Sequence, residues 1–179
     1  MIPAFSVSCL PRIVFGEGTL RQVPILSASF GKHALLITGG HSFRDSPHWN
    51  TLTAGLSAHG VSWEQLRVEG EPSPQLVDEA VRAWRGAIIE VVIGIGGGSV
   101  LDAAKAVAGL LPHGNSVLDH LEGVGPELPY KGPATPFIAV PTTAGTGSEA
   151  TKNAVLSVQG PQGFKKSFRH DLLVPRYAV

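Results

Sequence analysis

Apolar runs alternate with amphipathic stretches along most of the chain, and this alternation predicts its architecture. Continuous apolar, mostly β-branched runs are typical of buried strands, and apolar residues three and four positions apart are typical of helices. Strands are predicted at residues 12–15, 33–38, 61–68, 88–95, 136–140 and 153–158, and helices at 19–26, 48–59, 75–85 and 99–111. Strands that alternate with helices indicate an α/β fold with a doubly wound, mostly parallel sheet.

Turn-forming residues divide these elements. Thr19 is predicted to begin a helix and Gly60 to end one. The glycine- and proline-rich residues 113–135 are expected to form an irregular, exposed insertion, and residues 164–179 an extended tail. Because 179 residues suffice for one good core, residues 1–179 are interpreted as a single domain.

A run of glycines lies between a strongly apolar predicted strand and the helix that follows it. Gly94, Gly96, Gly97 and Gly98 precede Ser99, where that helix is predicted to begin. Glycine lets the backbone approach a ligand closely, and a helix N-terminus offers free N–H groups to an anion such as a pyrophosphate. The usual dinucleotide fingerprint has glycine at its sixth position, where this chain has Ser99. The alternative is a glycine turn that only allows the helix to pack closely on the sheet.

Two charged residues follow the glycines on the same predicted helix. Asp102 and Lys105 are three positions apart and therefore share a helix face. Asp102 is interpreted as an acceptor for a ligand amide beside the glycines. The alternative is that it lies in the first turn and stabilises the helix dipole. Lys105 is expected to pair with Asp102.

Residues 141–149, the threonine loop, follow the next predicted strand and are rich in small hydrogen-bonding groups. Thr142, Thr143, Thr146 and Ser148 supply hydroxyls, and the glycines among them supply bare backbone. Such a loop can hold a ribose or a phosphate with neutral donors. The alternative is a loop whose hydroxyls bond only to its own backbone. Because carboxyl ends of parallel strands meet at one edge of a sheet, this loop is expected to lie beside the glycines.

The loop after residues 33–38 bears on the choice of cofactor. An NAD site usually has an acidic residue at the end of a strand, where it holds the ribose 2′-hydroxyl. This chain has Gly39 and Gly40 there, followed by Ser42. A carboxylate at this point would repel a 2′-phosphate, so its replacement by glycine favours NADP(H) over NAD(H).

Composition removes several other classes of function. The chain has 14 basic and 14 acidic residues, so no basic excess indicates a nucleic-acid partner. No apolar run in the sequence is long enough to cross a membrane, and the single Cys9 excludes an internal disulfide. These features predict a cytoplasmic protein. The seven histidines show no metal-ligand spacing, and no residue is assigned as catalytic or as a metal ligand.

The two central motifs, residues 96–105 and 141–149, closely resemble those of the iron-containing (group III) alcohol dehydrogenases. The resemblance runs the length of the chain, from Phe15 and Gly16 to Lys165. It implies a dehydroquinate synthase-like N-terminal domain, a Rossmann-like fold that binds a dinucleotide. In the family a second, all-helical domain carries an aspartate and three histidines that bind Fe²⁺ or Zn²⁺, and it forms the substrate pocket. That helical metal domain is expected to be absent from this chain.

The resemblance also implies a set of cofactor-binding residues. They are Gly39, Gly40, Ser42, Gly96, Gly97, Gly98, Ser99, Asp102, Thr142, Thr143, Thr146, Val155 and Lys165. Ser73 stands where many members of the family have an asparagine that contacts the cofactor. The implied reaction is hydride transfer between a small alcohol or aldehyde and NADP(H), in preference to NAD(H). The resemblance is also compatible with a homodimer.

By the same resemblance, the chain alone is expected to bind dinucleotide without turning over. Three alternatives stay open at this point. They are a glycerol or polyol dehydrogenase, a dehydroquinate synthase-like relative, and a stand-alone nucleotide-binding module without catalysis.

Overall fold

A six-stranded parallel sheet forms the centre of the molecule. The computed structural model describes Ala4 and residues 9–179. The strands are β1 (Arg12–Ile13), β2 (His33–Thr38), β3 (Ser62–Arg67), β4 (Val91–Gly96), β5 (Phe137–Pro141), β6 (Asn153–Val158), β7 (Phe164–Arg169) and β8 (Tyr177–Ala178). The α-helices are α1 (Val23–Ala28), α2 (Pro47–Ala58), α3 (Pro74–Trp84) and α4 (Gly98–Leu110), and short 3₁₀ helices span Thr19–Gln22, Val117–His120 and Asp171–Leu173. No helix in the described part of the chain has the length and apolarity that a membrane crossing requires.

The order of strands creates a crevice at one edge of the sheet. The order is β3-β2-β4-β5-β8-β1, and every pairing is parallel. From β2 the chain goes outward to β3 and then returns to the other side of β2 with β4. The direction of winding therefore reverses between β2 and β4, and a reversal of this kind opens the crevice in which α/β sheets bind ligands.

Helices cover both faces of the sheet, so the fold is doubly wound as predicted. On one face α1 and α2 pack with Leu36, Leu52, Leu56 and Ile93, all of which are buried. On the other face α3 and α4 pack around a larger set of buried side chains. The strands at the centre of the sheet are buried on both faces, which explains their uninterrupted apolar sequences.

Helix α4 is buried on two sides, because β6 and β7 form an antiparallel hairpin on the side away from the sheet. Ala154, Leu156 and Phe168 bring this hairpin into the core. All residues of α4 from 100 to 110 are buried. On the sheet side, a Cβ at Gly94 would lie 2.8 Å from the Cβ of Ala104, so glycine in β4 allows the helix to approach closely.

Two segments predicted to be irregular are part of the fold instead. Val117 and Leu121 are fully buried, so residues 113–135 are not simply an exposed insertion. The Asp78 carboxylate accepts hydrogen bonds from the Val117 N–H and from a serine hydroxyl, which fastens this segment to α3. The predicted tail at 164–179 is also wrong, because it contains β7 and β8. Glycine and proline indicate turns, but they do not show whether the apolar residues between them are buried.

Corrections near the N-terminus are smaller. β1 covers only Arg12–Ile13 rather than residues 12–15, because its partner β8 is itself two residues long. Thr19 is the first residue of a 3₁₀ helix and not an N-cap; its hydroxyl donates to the Gly16 carbonyl at 2.9 Å. α2 ends at Ala58 with His59 as its C-cap, and Gly60, the predicted C-cap, follows one position later at a φ of 70°.

Candidate functional site

Three loops meet at the carboxyl edge of the sheet, as the sequence predicts. The register pairs Thr38 with Ile95 and Ile95 with Val140, so β2, β4 and β5 end side by side. A Cβ on Gly39 would lie 3.6 Å from a methyl group of Val100, in the first turn of α4. The loops after β2 and β4 therefore flank the point where the order of strands reverses.

The N-terminus of α4 has the properties of an anion site. Gly97 is its N-cap in an extended conformation and makes no side-chain cap. The Gly97 carbonyl accepts from the N–H groups of Val100 and Leu101, both at 3.1 Å. Among the hydrogen bonds of the described residues, none is donated by the backbone N–H of Gly98 or Ser99. Free donors of this kind, together with the helix dipole, attract phosphate groups.

The glycines divide into two pairs with different surroundings. A Cβ at Gly94 would meet Ala104, and one at Gly96 would lie 2.6 Å from Val100 Cγ2, so these two glycines allow α4 to pack on β4. The packing interpretation therefore holds for this pair. Gly97 and Gly98 face the threonine loop instead, and close packing of the helix on the sheet does not explain them.

The glycine loop (residues 96–99) and the threonine loop lie against each other. A Cβ on Gly97 would be 3.3 Å from the hydroxyl of Thr143, and one on Gly98 would be 3.3 Å from Thr146 Cβ. The Thr142 N–H donates to the Gly96 carbonyl at 3.0 Å. The alternative of a self-bonded loop is limited to one long contact, from the N–H of Ser148 to the Thr146 hydroxyl at 3.4 Å.

An open cleft of about 270 Å³ lies between the N-terminus of α4, the threonine loop and the β6–β7 hairpin. Its walls include six of the residues predicted from the sequence, namely Gly98, Ser99, Asp102, Thr146, Val155 and Lys165. They come from four separate segments of the chain, and the fold brings them together.

The other predicted residues lie outside this cleft. Gly39, Gly40 and Ser42 lie on the neighbouring loop after β2. Gly96 and Gly97 belong to the glycine loop and Thr143 lies against it, but none of these three lines the cleft. Thr142 lines a second cavity of about 330 Å³ near α2, together with Ile95 and Val140. Ser73 does not face the cleft: its hydroxyl caps α3 by accepting from the Leu76 N–H at 3.1 Å.

Asp102 is a buried carboxylate at the wall of the cleft. It is the fifth residue of α4, so the interpretation that it stabilises the first helical turn is wrong. Only 8% of the residue is exposed, and its Oδ1 has no hydrogen-bond partner in the described structure. Burial raises the pKa of this carboxyl, while the nearby Lys105 acts in the opposite direction. A buried acceptor without a partner is costly unless a ligand supplies a donor.

Lys105 does not form the expected ion pair with Asp102. Its fully buried ammonium donates to the carbonyls of Ser148 at 2.7 Å and Asn153 at 2.6 Å, and to the Thr151 hydroxyl at 3.4 Å. Burial lowers its pKa to about 8, although the charges of Asp102 and Glu149 oppose that shift. Lys105 therefore fastens the end of the threonine loop and the start of β6 to α4.

The sequence analysis missed an ion pair across the mouth of the cleft. The Lys165 ammonium lies 3.0 Å from a carboxylate oxygen of Glu71, and both residues line the cleft. The Ser157 hydroxyl and the Lys165 ammonium lower the pKa of Glu71. Glu71 and Lys165 are 94 positions apart, so no local pattern relates them. The Ser157 N–H of the hairpin donates to the Pro72 carbonyl at 2.9 Å, which brings Lys165 beside Glu71.

The described residues offer no ligand set for a metal ion. Within Ala4 and residues 9–179, no three histidine, cysteine, aspartate or glutamate side chains gather closely enough to hold one. The Fe²⁺ or Zn²⁺ that the family resemblance implies therefore does not fit these residues, and no chemical step is assigned to a metal here.

Parallel strands, helices on both faces and a glycine turn at the switch point place this chain among Rossmann-like α/β folds. The family model for iron-containing alcohol dehydrogenase matches residues 11–179. The chain therefore belongs to the iron-containing alcohol dehydrogenase family, as the two sequence motifs indicate.

Individual relatives agree with this assignment. The chain is 31% identical to the long-chain primary alcohol dehydrogenase AdhA of Thermoanaerobacter ethanolicus, over 98% of this chain and 44% of that protein. It is 37% identical to long-chain-alcohol dehydrogenase 1 of Geobacillus thermodenitrificans, over 94% of this chain and 43% of that protein. The chain thus spans less than half the length of these relatives.

Solved structures share the fold. The archaeal halo-thermophilic alcohol dehydrogenase ADH/D1 from a Red Sea brine pool superposes with a TM-score of 0.87 at 28% identity, over 99% of this chain and 46% of that one. Relatives also differ in cofactor. An NADPH-dependent butanol dehydrogenase of Clostridium saccharobutylicum is 32% identical, over 83% of this chain and 38% of that protein. An NADH-dependent butanol dehydrogenase A of Thermotoga maritima superposes with a TM-score of 0.83 at 29% identity, over 98% of this chain and 43% of that one.

Proposed function

We propose that this chain is the cofactor-binding part of an NAD(P)-dependent alcohol dehydrogenase, and that it holds a dinucleotide in the cleft beside α4. The observation that carries the proposal is the free N-terminus of α4, where Gly98 and Ser99 line an open cleft beside the threonine loop. The bound nicotinamide would supply the hydride acceptor or donor, and the residues of this chain would bind and orient it.

The described residues fit a dinucleotide in three respects. The free N–H groups of Gly98 and Ser99 suit the pyrophosphate. The hydroxyl of Thr146 supplies a neutral group for a ribose or a phosphate. The buried Oδ1 of Asp102 lacks a donor, and a carboxamide N–H of the nicotinamide would provide one. In this arrangement Val155 and Lys165 form the hairpin wall of the cleft.

We further propose that NADP(H) binds more tightly than NAD(H). The support is the loop after β2, where Gly39, Gly40 and Ser42 place no carboxylate at the strand end. Relatives named for NADPH and for NADH both match, so family membership alone does not select the cofactor.

Thermal unfolding with each cofactor tests both proposals. A ligand present at about 100 times its Kd adds about 2.7 kcal/mol to the free energy of unfolding. At equal concentrations we expect the melting temperature to rise more with NADPH than with NADH. No shift with either would contradict the binding proposal. An equal or larger shift with NADH would contradict the preference alone.

The reaction of the whole protein needs its own test, because the chain spans only 43–44% of the length of the long-chain alcohol dehydrogenases described above. We expect the 179-residue chain to bind dinucleotide without oxidising NADPH when an aldehyde and Fe²⁺ or Zn²⁺ are added. Robust turnover under these conditions would show that these residues are sufficient for catalysis and would overturn that expectation.

A further inference from the structure

Arg67 lies at the carboxyl end of β3, next to the loop on which the cofactor preference depends. The register pairs it with Thr38, the last residue of β2, and the following residue, Val68, donates its N–H to the Thr38 carbonyl at 2.8 Å. Neither the sequence pattern nor the family motifs single out this arginine. Its position follows only from the pairing of the edge strand β3 with β2.

The guanidinium of Arg67 reaches over the loop after β2. Its Nη2 donates to the Gly40 carbonyl at 2.9 Å and lies 3.4 Å from the Nε2 of His41. Its Nε is buried and has no acceptor among the described residues, and none of their hydrogen bonds uses Nη1. The side chain as a whole is 36% exposed. The guanidinium is thus held in place by Nη2, and the N–H groups of Nη1 stay free for an acceptor.

The nearby carboxylate of Glu69 forms only a weak ion pair with Arg67. Glu69 approaches Nη2 only to 3.5 Å, and 73% of its side chain is exposed. Exposed pairs of this kind contribute little and are easily exchanged for a better partner. A phosphate is a better partner, because its oxygens match the planar donor fork of arginine and carry more charge.

The distance across the sheet also suits a nucleotide. β4 carries the glycine loop and β2 lies between β4 and β3. Two strand spacings, about 10 Å, therefore separate the N-terminus of α4 from the end of β3. A pyrophosphate at the N-terminus of α4 would therefore leave its attached adenosine ribose within reach of the ends of β2 and β3.

We infer that Arg67, assisted by His41, is the residue that recognises the 2′-phosphate of NADP(H). This inference rests on the proposed dinucleotide site and names the group that discriminates between the two cofactors. Gly39 and Gly40 then only make room, and the binding energy for the phosphate comes from the neighbouring strand. Arg67 is a specificity-determining residue and takes no part in hydride transfer.

The test is the affinity of the 179-residue chain for NADP⁺ and for NAD⁺, measured by isothermal titration calorimetry. We expect Arg67→Gln to weaken NADP⁺ binding about 10-fold to 100-fold and to change NAD⁺ binding by less than about twofold. Arg67→Lys should retain part of the NADP⁺ affinity, since it keeps the charge and loses the fork. His41→Ala should cost about threefold for NADP⁺ only.

Arg82→Gln is the matched control, because it removes the same charge from an exposed position on α3. It should leave both affinities unchanged. Retained NAD⁺ binding by Arg67→Gln shows that the variant is folded. Equal losses for NADP⁺ and NAD⁺, or no loss for either, would overturn the role of Arg67. Failure of the unaltered chain to bind either cofactor would instead overturn the proposed function.

Discussion

The glycine loop and the threonine loop form two sides of one cleft, but they are held in different ways. The glycine loop is fixed by packing: Gly96 is buried, and α4 is enclosed between the sheet and the hairpin. Residues 142–146 of the threonine loop are exposed, and the loop is fastened at its end by Lys105. The position of the glycine loop thus depends on residues without side chains, and the position of the threonine loop depends on the buried ammonium of Lys105.

This difference indicates that the two loops have separate roles in binding a ligand. A rigid helix N-terminus can bind the charged part of a ligand with backbone groups whose positions hardly change. An exposed loop rich in hydroxyls can adjust to the neutral parts. Substitutions in the two loops should therefore have different consequences: those at the anchor of the threonine loop should affect stability, and those at the glycine loop should affect ligand affinity.

Replacing the anchor is the largest expected effect. Lys105→Met removes the donor to the carbonyls of Ser148 and Asn153 and leaves two backbone acceptors unpaired. We expect the free energy of unfolding to fall by about 2–4 kcal/mol in denaturant titrations. Lys131→Met, at an exposed position, is the control and should change it by less than about 0.5 kcal/mol. A Lys105 variant as stable as the control would show that the ammonium is not an anchor.

The ionisation of the same lysine gives a second test. Burial lowers the pKa of Lys105 from 10.5 to about 8. Above about pH 10.5 both folded and unfolded lysine are neutral, and below about pH 8 both are charged. Between these limits the unfolded chain holds a proton that the folded chain lacks, so the stability contributed by Lys105 falls as the pH falls, by at most about 1.4 kcal/mol per unit.

The measurement is the difference in free energy of unfolding between the unaltered chain and Lys105→Met, taken from pH 7 to pH 10.5. Subtracting the variant removes the contribution of every other titrating group that the two proteins share. The difference should rise with pH above about pH 8 and stay level below it. A difference that is level throughout would mean that the folded lysine keeps its ordinary pKa.

A substitution in the glycine loop should separate affinity from stability. A methyl group at Gly98 would lie 3.3 Å from Thr146 and would narrow the cleft. We expect Gly98→Ala to weaken NADPH binding about tenfold or more in calorimetry. Its stability should change by less than about 1 kcal/mol, because alanine is the better helix former. Gly86→Ala has open space around the new methyl group and is the matched control.

The smallest expected effect is the loss of one neutral hydroxyl from the threonine loop. Thr146→Val keeps the shape of the side chain and removes its hydrogen-bonding group. We expect NADPH affinity to fall about twofold to tenfold, with almost no change in melting temperature. Thr53→Val, on α2 and far from the cleft, should leave the affinity unchanged. If Thr146→Val lowers the NADPH affinity more than Gly98→Ala does, the proposed separation of roles between the two loops is wrong.

The bounds of strands and helices could be predicted from the sequence where the apolar pattern and the capping residues lie within the element itself. β2 and β6 have the predicted bounds, and the helices beginning at Pro47 and Pro74 differ from the prediction by about one residue. Their apolar patterns and caps lie within each element, so no distant contact is needed to recognise them. The glycine and threonine motifs were recognised for the same reason.

Features that depend on distant partners could not be predicted. Lys105 bonds to residues more than 40 positions away, and Glu71 pairs with Lys165 across 94 positions. The spacing of Asp102 and Lys105 correctly indicated neighbours on one helix, but the ammonium donates to the carbonyls of Ser148 and Asn153 instead. β8 has only two residues, which is too short for any periodic signal.

That short strand has a consequence for biosynthesis. β1 pairs with β8 alone, and β8 lies between β1 and β5. A nascent chain of which only residues 1–170 have left the ribosome therefore has a first strand without its sheet neighbour and an uncovered edge of β5. When Tyr177 and Ala178 emerge, they pair with both strands. Chains that stop before Tyr177 should present two unpaired strand edges to chaperones and proteases, although they contain every residue that lines the cleft.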